Sequence, residues 1–183
     1  MIKLNLGAGS DILNGYINHD ICTLPGIDIV HNLNVYPWPF DDSSCSEVKI
    51  YDVLEHLDDF MRAMEELHRI LMPGGIIKLQ VPYYLSWSAY ADPTHKKYFH
   101  ELTFRFFDPL SCWCQERPYY SHARFFIIEE FFILYPFSPY FSFPFFANIF
   151  ISNIFAKRLL STLSASSMLN LINDLRFTLQ KPF

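Results

Sequence analysis

The chain has 183 residues, 51% of them hydrophobic, with 14 Lys and Arg against 19 Asp and Glu. That length suits one domain with a substantial core, and a net charge of −5 leaves no basic footprint for nucleic acid. Cys22, Cys45, Cys112 and Cys114 lack paired C-x-x-C spacing, which makes a poor zinc pattern and reads as reduced thiols of a cytoplasmic protein.

Ile2, Leu4 and Leu6 alternate with Lys3 and Asn5, which predicts a first strand. A strand at the amino terminus leaves no room for a basic-then-apolar leader, in keeping with an intracellular protein. The strand runs into Gly7-Ala8-Gly9-Ser10. Without a Cβ, Gly7 and Gly9 let the backbone turn sharply and approach a ligand, with N–H groups free to face an anion. A loop of this kind after a first parallel strand either binds a nucleotide-like cofactor or simply packs tightly. Asp11 to Gly15 leaves room for a turn or two of helix. Tyr16 to Asp20 then reads as a second strand ending on a carboxylate, placed to accept both hydroxyls of a ribose or to cap its own loop.

Ile27 to His31 is a third strand, followed by Asn32-Leu33-Asn34. The run Pro37 to Ser44 is a turn-rich connector. Glu47 to Leu54 reads as a fourth strand leading to Glu55-His56-Leu57. Asp58 or Asp59 can cap the next helix, whose apolar stripe is Phe60, Met64, Leu67 and Leu71, with Glu65 and Arg69 paired on the other face. Met72-Pro73-Gly74-Gly75 stops that helix, and Ile76 to Val81 is a fifth strand. Strands alternating with short connections and a helix predict a layered α/β domain with a mostly parallel sheet.

The runs L-N-L-G-A-G-S, G-Y-I-N-H-D, D-V-L-E-H-L and R-I-L-M-P-G-G-I-I-K-L-Q-V-P stand in this order over residues 1–82. Together they resemble a class I S-adenosylmethionine-dependent methyltransferase of the small stand-alone type-11 family. The resemblance implies a Rossmann-like doubly wound α/β sheet, mostly parallel with an antiparallel last strand, in the order 3-2-1-4-5-7-6. It implies S-adenosylmethionine as cofactor. Gly7, Ala8 and Gly9 match the loop under the methionine part, with Asn5 where relatives carry Asp or Glu. Asp20 matches the ribose ligand, Ile21 a position beside the adenine, and Asn32 and Leu33 the adenine contact. Asp52 to His56 match the motif after strand four that lines the sulfonium end, with Asp52, Val53 and His56 as the contacts. Asn5, Asp11 in place of a third glycine, and the short first helix depart from the pattern, and they favour the rival reading, a domain that binds without catalysis.

Methyl transfer needs a nucleophile aligned with the S–CH₃ axis, exclusion of water, and removal of a proton if the nucleophile is a hydroxyl. Candidate groups follow strand five: Tyr83, Tyr84, Asp92, His95 and His100. The segment Asp92 to His100 resembles a D-P-x-H stretch of several relatives. His95 is the first choice of base, with Tyr83 and His100 beside it, although His95 can equally serve to bond a loop backbone. A metal held by Asp92, His95, His100 and His56 is set aside, because no H-E-x-x-H or comparable pair is present. The acceptor expected is a small molecule, with a saccharide or lipid-linked one suited to the aromatic segment described next.

Arg124 to Tyr135 reads as a sixth strand and Asp174 to Pro182 as the last, inserted antiparallel beside it as the resemblance implies. Residues 136–173 are then an insertion, partly helical after Pro144, that serves as lid, acceptor pocket or dimer surface. Phe131 to Ala156 has no charged residue, but Pro136, Pro139 and Pro144 interrupt it, so it predicts an aromatic cap rather than a membrane span. Peripheral contact with a membrane or lipid through 136–156, or a homodimer contact, is the alternative. The expectation is a single methyltransferase domain over 1–183.

Overall fold

A computed structural model describes residues 1–134, 149–167 and 172–183. Among these residues eight strands form one sheet: β1 (Ile2–Leu6), β2 (Ile17–Asp20), β3 (Ile29–Val30), β4 (Cys45–Tyr51), β5 (Leu71–Pro82), β6 (Phe126–Leu134), β7 (Ile149–Ile151) and β8 (Asp174–Gln180). Their order is β3-β2-β1-β4-β5-β8-β6-β7. The first five are parallel, and β8 runs antiparallel between β5 and β6. The predicted order holds, with one addition: β7 pairs antiparallel with the outer edge of β6, inside the segment read as an insertion.

Apolar residues alternate with polar ones along the central strands, and Leu4, Leu6, Val48, Ile50, Ile77 and Leu79 are all completely buried. Phe60, at the start of α1 (Phe60–Ile70), sits edge-on to Phe99, Phe104 and Phe107 at 5.2, 5.9 and 5.8 Å. Asp59 caps α1 by accepting the Arg62 N–H at 3.0 Å. Arg69 forks onto Glu66, one turn away, at 2.9 and 2.7 Å, rather than onto Glu65, whose carboxylate accepts from Ser121 Oγ at 2.8 Å. At the other end, Lys181 Nζ donates to the carbonyls of His68 and Leu71, both at 2.7 Å.

The Pro-Gly-Gly turn does not separate helix from strand as predicted. Leu71 already pairs with Cys45, and Ile76 with Glu47, so residues 72–75 bulge out of a ladder that continues on both sides. No helix forms between β1 and β2. The Asn5 amide donates to the Asp11 carbonyl at 2.7 Å, and Asn18 Oδ1 accepts from the Leu13 N–H at 2.9 Å. Side chains thus take the backbone groups that a helix would pair. The other α-helices among the described residues are α2 (Trp87–Ala91), α3 (Cys112–Glu116) and α4 (Ile154–Ser167); Ser86 and Ser111 cap the first two by accepting from Ala89 N and Trp113 N.

The lid, acceptor-pocket and membrane readings of 136–156 fall largely on residues outside those described. Phe155, Leu159 and Leu163 of α4 are exposed, and no helix among the described residues is long and apolar enough to cross a membrane.

His68, in the last turn of α1, lies edge-on to Phe125 at 5.5 Å. Burial, then Lys181, His122 and Arg124, push its imidazole down to about 4. Its folded value lies below the unfolded one of about 6.5, so the unfolded chain binds the extra proton between them. The stabilisation is therefore complete above pH 6.5 and is lost as pH falls toward 4. Discounted for partial exposure, the wild type should lose about 1–2 kcal/mol more than His68→Phe over that interval. Urea unfolding of both at the two ends of the range checks this, and equal losses would remove His68 from the account.

Candidate active site

An open cleft of about 730 Å³ lies where the carboxyl ends of β1, β2 and β4 meet. Its floor begins at Gly7, whose φ of +68° belongs to the left-handed region. A Cβ there would stand 2.2 Å from Val53 Cγ2, so the residue after β1 must lack a side chain for the loop after β4 to close over it. Beyond it, the Gly9 N–H donates to Asp20 Oδ2 at 2.8 Å and the Cys22 N–H to Asp20 Oδ1 at 3.0 Å. Each carboxylate oxygen keeps a lone pair, and Asp20 borders the cleft. Ile21, Asn32, Leu33 and Asn34 complete that side, and Asn32 Oδ1 accepts the Asn34 N–H at 2.9 Å.

The opposite wall follows β4. Asp52 adopts φ +55°, a conformation that costs a non-glycine residue about 1 kcal/mol or more and that clusters at functional sites. Burial raises its carboxyl above the ordinary range, opposed by Gln80 and Arg176. Asp52, Val53, His56 and Leu57 border the cleft, together with Pro93, Thr94 and Lys96 from the segment after α2.

Between Asp52 and His56 stands Glu55, wholly buried, and neither carboxyl oxygen meets a hydrogen-bond partner in another residue. Burial, with Asp52, Asp174 and Asp92 adding to it, pushes this carboxyl up to about 8. The Glu55 carbonyl accepts the N–H groups of Lys96 and Lys97 at 2.8 and 3.1 Å, which ties the loop after β4 to the segment carrying His95.

Both histidines are fixed through their partners. His95 Nδ1 lies 3.0 Å from the Ala89 carbonyl, which can only accept, so Nδ1 carries the proton and Nε2 the lone pair. His95 Nε2 faces Glu55 Oε1 at 4.0 Å. The Thr94 hydroxyl donates to Asp92 Oδ1 at 2.7 Å, so it accepts from His56 Nδ1 at 2.9 Å and leaves the His56 Nε2 lone pair free. The two rings meet edge to face with centroids 4.7 Å apart. Burial, then His95, lowers the affinity of His56 for a second proton.

The structure thus gathers Gly7, Asp20, Ile21, Asn32, Leu33, Asp52, Val53 and His56 around one cleft, with His95 behind His56. Asn5 and Ala8 are buried and do not border it. The Asn5 amide is spent on Asp11 O and on Asn18 Oδ1 at 3.0 Å, so it braces the loop. Gly9 reaches the cleft only through its bond to Asp20.

Two of the three candidate catalytic residues stand elsewhere. Tyr83 is wholly buried, continues β5 into a bridge with Phe99, and has its phenol raised well above the ordinary range by burial. His100 Nδ1 accepts the Leu102 N–H at 3.1 Å, faces Glu101 at 3.2 Å, and does not border the cleft. Thr94 and Lys96 are the additions that sequence reasoning missed, and Glu55 lies inside the motif Asp52 to His56 without being singled out there. The E-H pair after β4 and the D-P-x-H segment were the available signals, but neither told which side chains converge.

Residues 23–79 match a family profile described as a methyltransferase domain. The demethylmenaquinone methyltransferase of Staphylococcus epidermidis is 38% identical over 55 residues, which are 30% of this chain and 22% of that protein. A protein of Mycolicibacterium smegmatis described as a probable S-adenosylmethionine-dependent methyltransferase is 31% identical over 80 residues, 44% of this chain and 31% of its own length. The matches therefore span under a third of either relative. In structure, an S-adenosylmethionine-dependent methyltransferase from Archaeoglobus fulgidus superposes with a TM-score of 0.61 at 16% identity, covering 98% of this chain and 85% of that one.

Proposed function

We propose, for a chain with the fold of the class I S-adenosylmethionine-dependent methyltransferases, that it transfers a methyl group from S-adenosylmethionine to a small-molecule acceptor. The observation that carries the reading is the pairing of Gly7 and Asp20 on one cleft of about 730 Å³, a size that suits a nucleoside cofactor. The residues fit such a group: a bare Gly7 permits close approach, and Asp20 is oriented by two backbone N–H groups with lone pairs to spare. When bound, the cofactor supplies a methyl group activated by positive sulfur.

In this reading Asp20 accepts the ribose hydroxyls, while Asn32, Leu33 and Ile21 hold the adenine. Asp52 and Val53 flank the sulfonium end. The acceptor enters against His56 and His95, whose Nε2 lone pairs draw the proton from a hydroxyl. A saccharide or lipid-linked acceptor remains the suggestion of the aromatic segment.

Calorimetric titration with S-adenosylhomocysteine tests this. Micromolar binding is expected, and Asp20→Ala should weaken it at least tenfold, since a charge-assisted hydrogen bond is worth about 1.5–3 kcal/mol. A folded wild type that binds neither S-adenosylhomocysteine nor S-adenosylmethionine would sink the reading and favour a domain kept for another purpose.

A further inference from the structure

The geometry points to a divalent cation site beside the cleft, formed by the Glu55 carboxylate and the Nε2 atoms of His56 and His95. One ligand atom from each of the three residues lies within 4.8 Å of the others. Around an ion with bonds of about 2.1 Å the ligand atoms lie roughly 3 Å apart, so side-chain shifts of about 1 Å close the set.

Three observations carry the site beyond a chance cluster. First, Glu55 is wholly buried with neither carboxyl oxygen bonded to another residue. A buried carboxyl without partners is costly, and an ion is one of the few groups that would satisfy it. Second, both imidazoles donate Nδ1–H outward, His95 to the Ala89 carbonyl and His56 to the Thr94–Asp92 pair, so both keep Nε2 free. Metal-ligating histidines are oriented in this way, by a carbonyl or a carboxylate-linked partner on the far nitrogen. Third, the groups already converge: His95 Nε2 faces Glu55 Oε1 at 4.0 Å, and the His56 and His95 rings meet with centroids 4.7 Å apart.

Two imidazoles and one carboxylate suit first-row divalent ions of the Mn²⁺, Fe²⁺ and Zn²⁺ group, with positions left over for other ligands. His56 borders the cleft, so those positions fall to the acceptor. With both Nε2 lone pairs on the ion, a hydroxyl oxygen bound there would be oriented and would lose its proton more readily, to solvent in place of His56 or His95. This use rests on the methyl-transfer reading; the site itself does not. The class of acceptor implied is one that offers an oxygen donor to a metal.

The test uses the full chain stripped with a chelator, with Mn²⁺ as probe because the exposed thiols of Cys22 and Cys112 would compete for Zn²⁺. Mn²⁺ binding, followed by electron paramagnetic resonance, should saturate at one equivalent. Glu55→Gln and His95→Asn should each weaken it at least tenfold, and retained cooperative urea unfolding establishes that either variant is folded. No binding by the wild type, or unchanged binding in a folded variant, overturns the site. S-adenosylhomocysteine titrated into the same samples separates the two readings: metal binding without nucleoside binding removes the methyltransferase and keeps the site, and the converse removes the site alone.

Discussion

Gly7→Ala should abolish measurable cofactor binding and cost about 2–4 kcal/mol of stability, combining left-handed strain with overpacking. The added Cβ would lie 2.2 Å from Val53 Cγ2 at φ +68°, so neither the backbone nor its neighbour can absorb it without moving the cleft floor. Gly9→Ala is the internal control. Gly9 has φ +52° but nothing within 4 Å of the added atom, so only the strain of about 1–2 kcal/mol applies. Adding Val53→Ala to Gly7→Ala should recover the overpacking part and leave the strain. Urea unfolding and S-adenosylhomocysteine titration of the four proteins read both effects. Equal costs for the two glycine variants would show that the close approach to Val53 does not shape this wall.

The contrast between those glycines marks how far the amino-acid pattern could reach. Alternating or continuous apolar runs located the predicted strands to within a few residues, because burial of Leu4, Leu6, Val48 and Ile50 leaves a local signature. Strand ends in a parallel sheet share one edge, so Gly7, Asp20 and Asp52 meet at one cleft in the order that the resemblance implies. Features set by tertiary partners left no such trace. The ladder on both sides of residues 72–75 depends on Cys45 and Glu47, nearly thirty residues earlier in the chain. β7 exists only as a partner of β6.

The site residues divide along the same line. Tyr83 and His100 stand in sequence where a base would be expected, yet backbone pairing with Phe99 and local bonds to Leu102 turn them to other uses. Asn5 sits at a position that the resemblance ties to the cofactor, and its amide instead secures Asp11 and Asn18. Glu55 follows the fourth strand in the run D-V-L-E-H-L, and nothing in that run sets it apart from its neighbours. Its importance rests on being buried without a partner beside His95, and a sequence does not show solvation.

Trp38→Ala should be the most damaging single truncation on the Asn32–Leu33 side of the cleft, at about 3–5 kcal/mol. The ring is 2% exposed, and its indole N–H donates to the Leu33 carbonyl at 2.9 Å. Its backbone is equally engaged: the Trp38 N–H donates to Glu66 Oε2 at 2.7 Å, and its carbonyl accepts from Arg69 at 3.1 Å. Truncation thus opens a cavity and strips the partner from a carbonyl of a residue that borders the cleft. Affinity for S-adenosylhomocysteine should fall together with stability. Trp38→Phe fills most of the space and removes only the hydrogen bond, so about 1–2 kcal/mol is expected from it. A loss in Trp38→Phe as large as in Trp38→Ala would assign the stabilisation to the bond with Leu33 rather than to packing. A loss below about 1 kcal/mol in Trp38→Ala would mean that residues 32–40 fold back without the ring, and that this wall of the cleft is held by Arg69 and Glu66 alone.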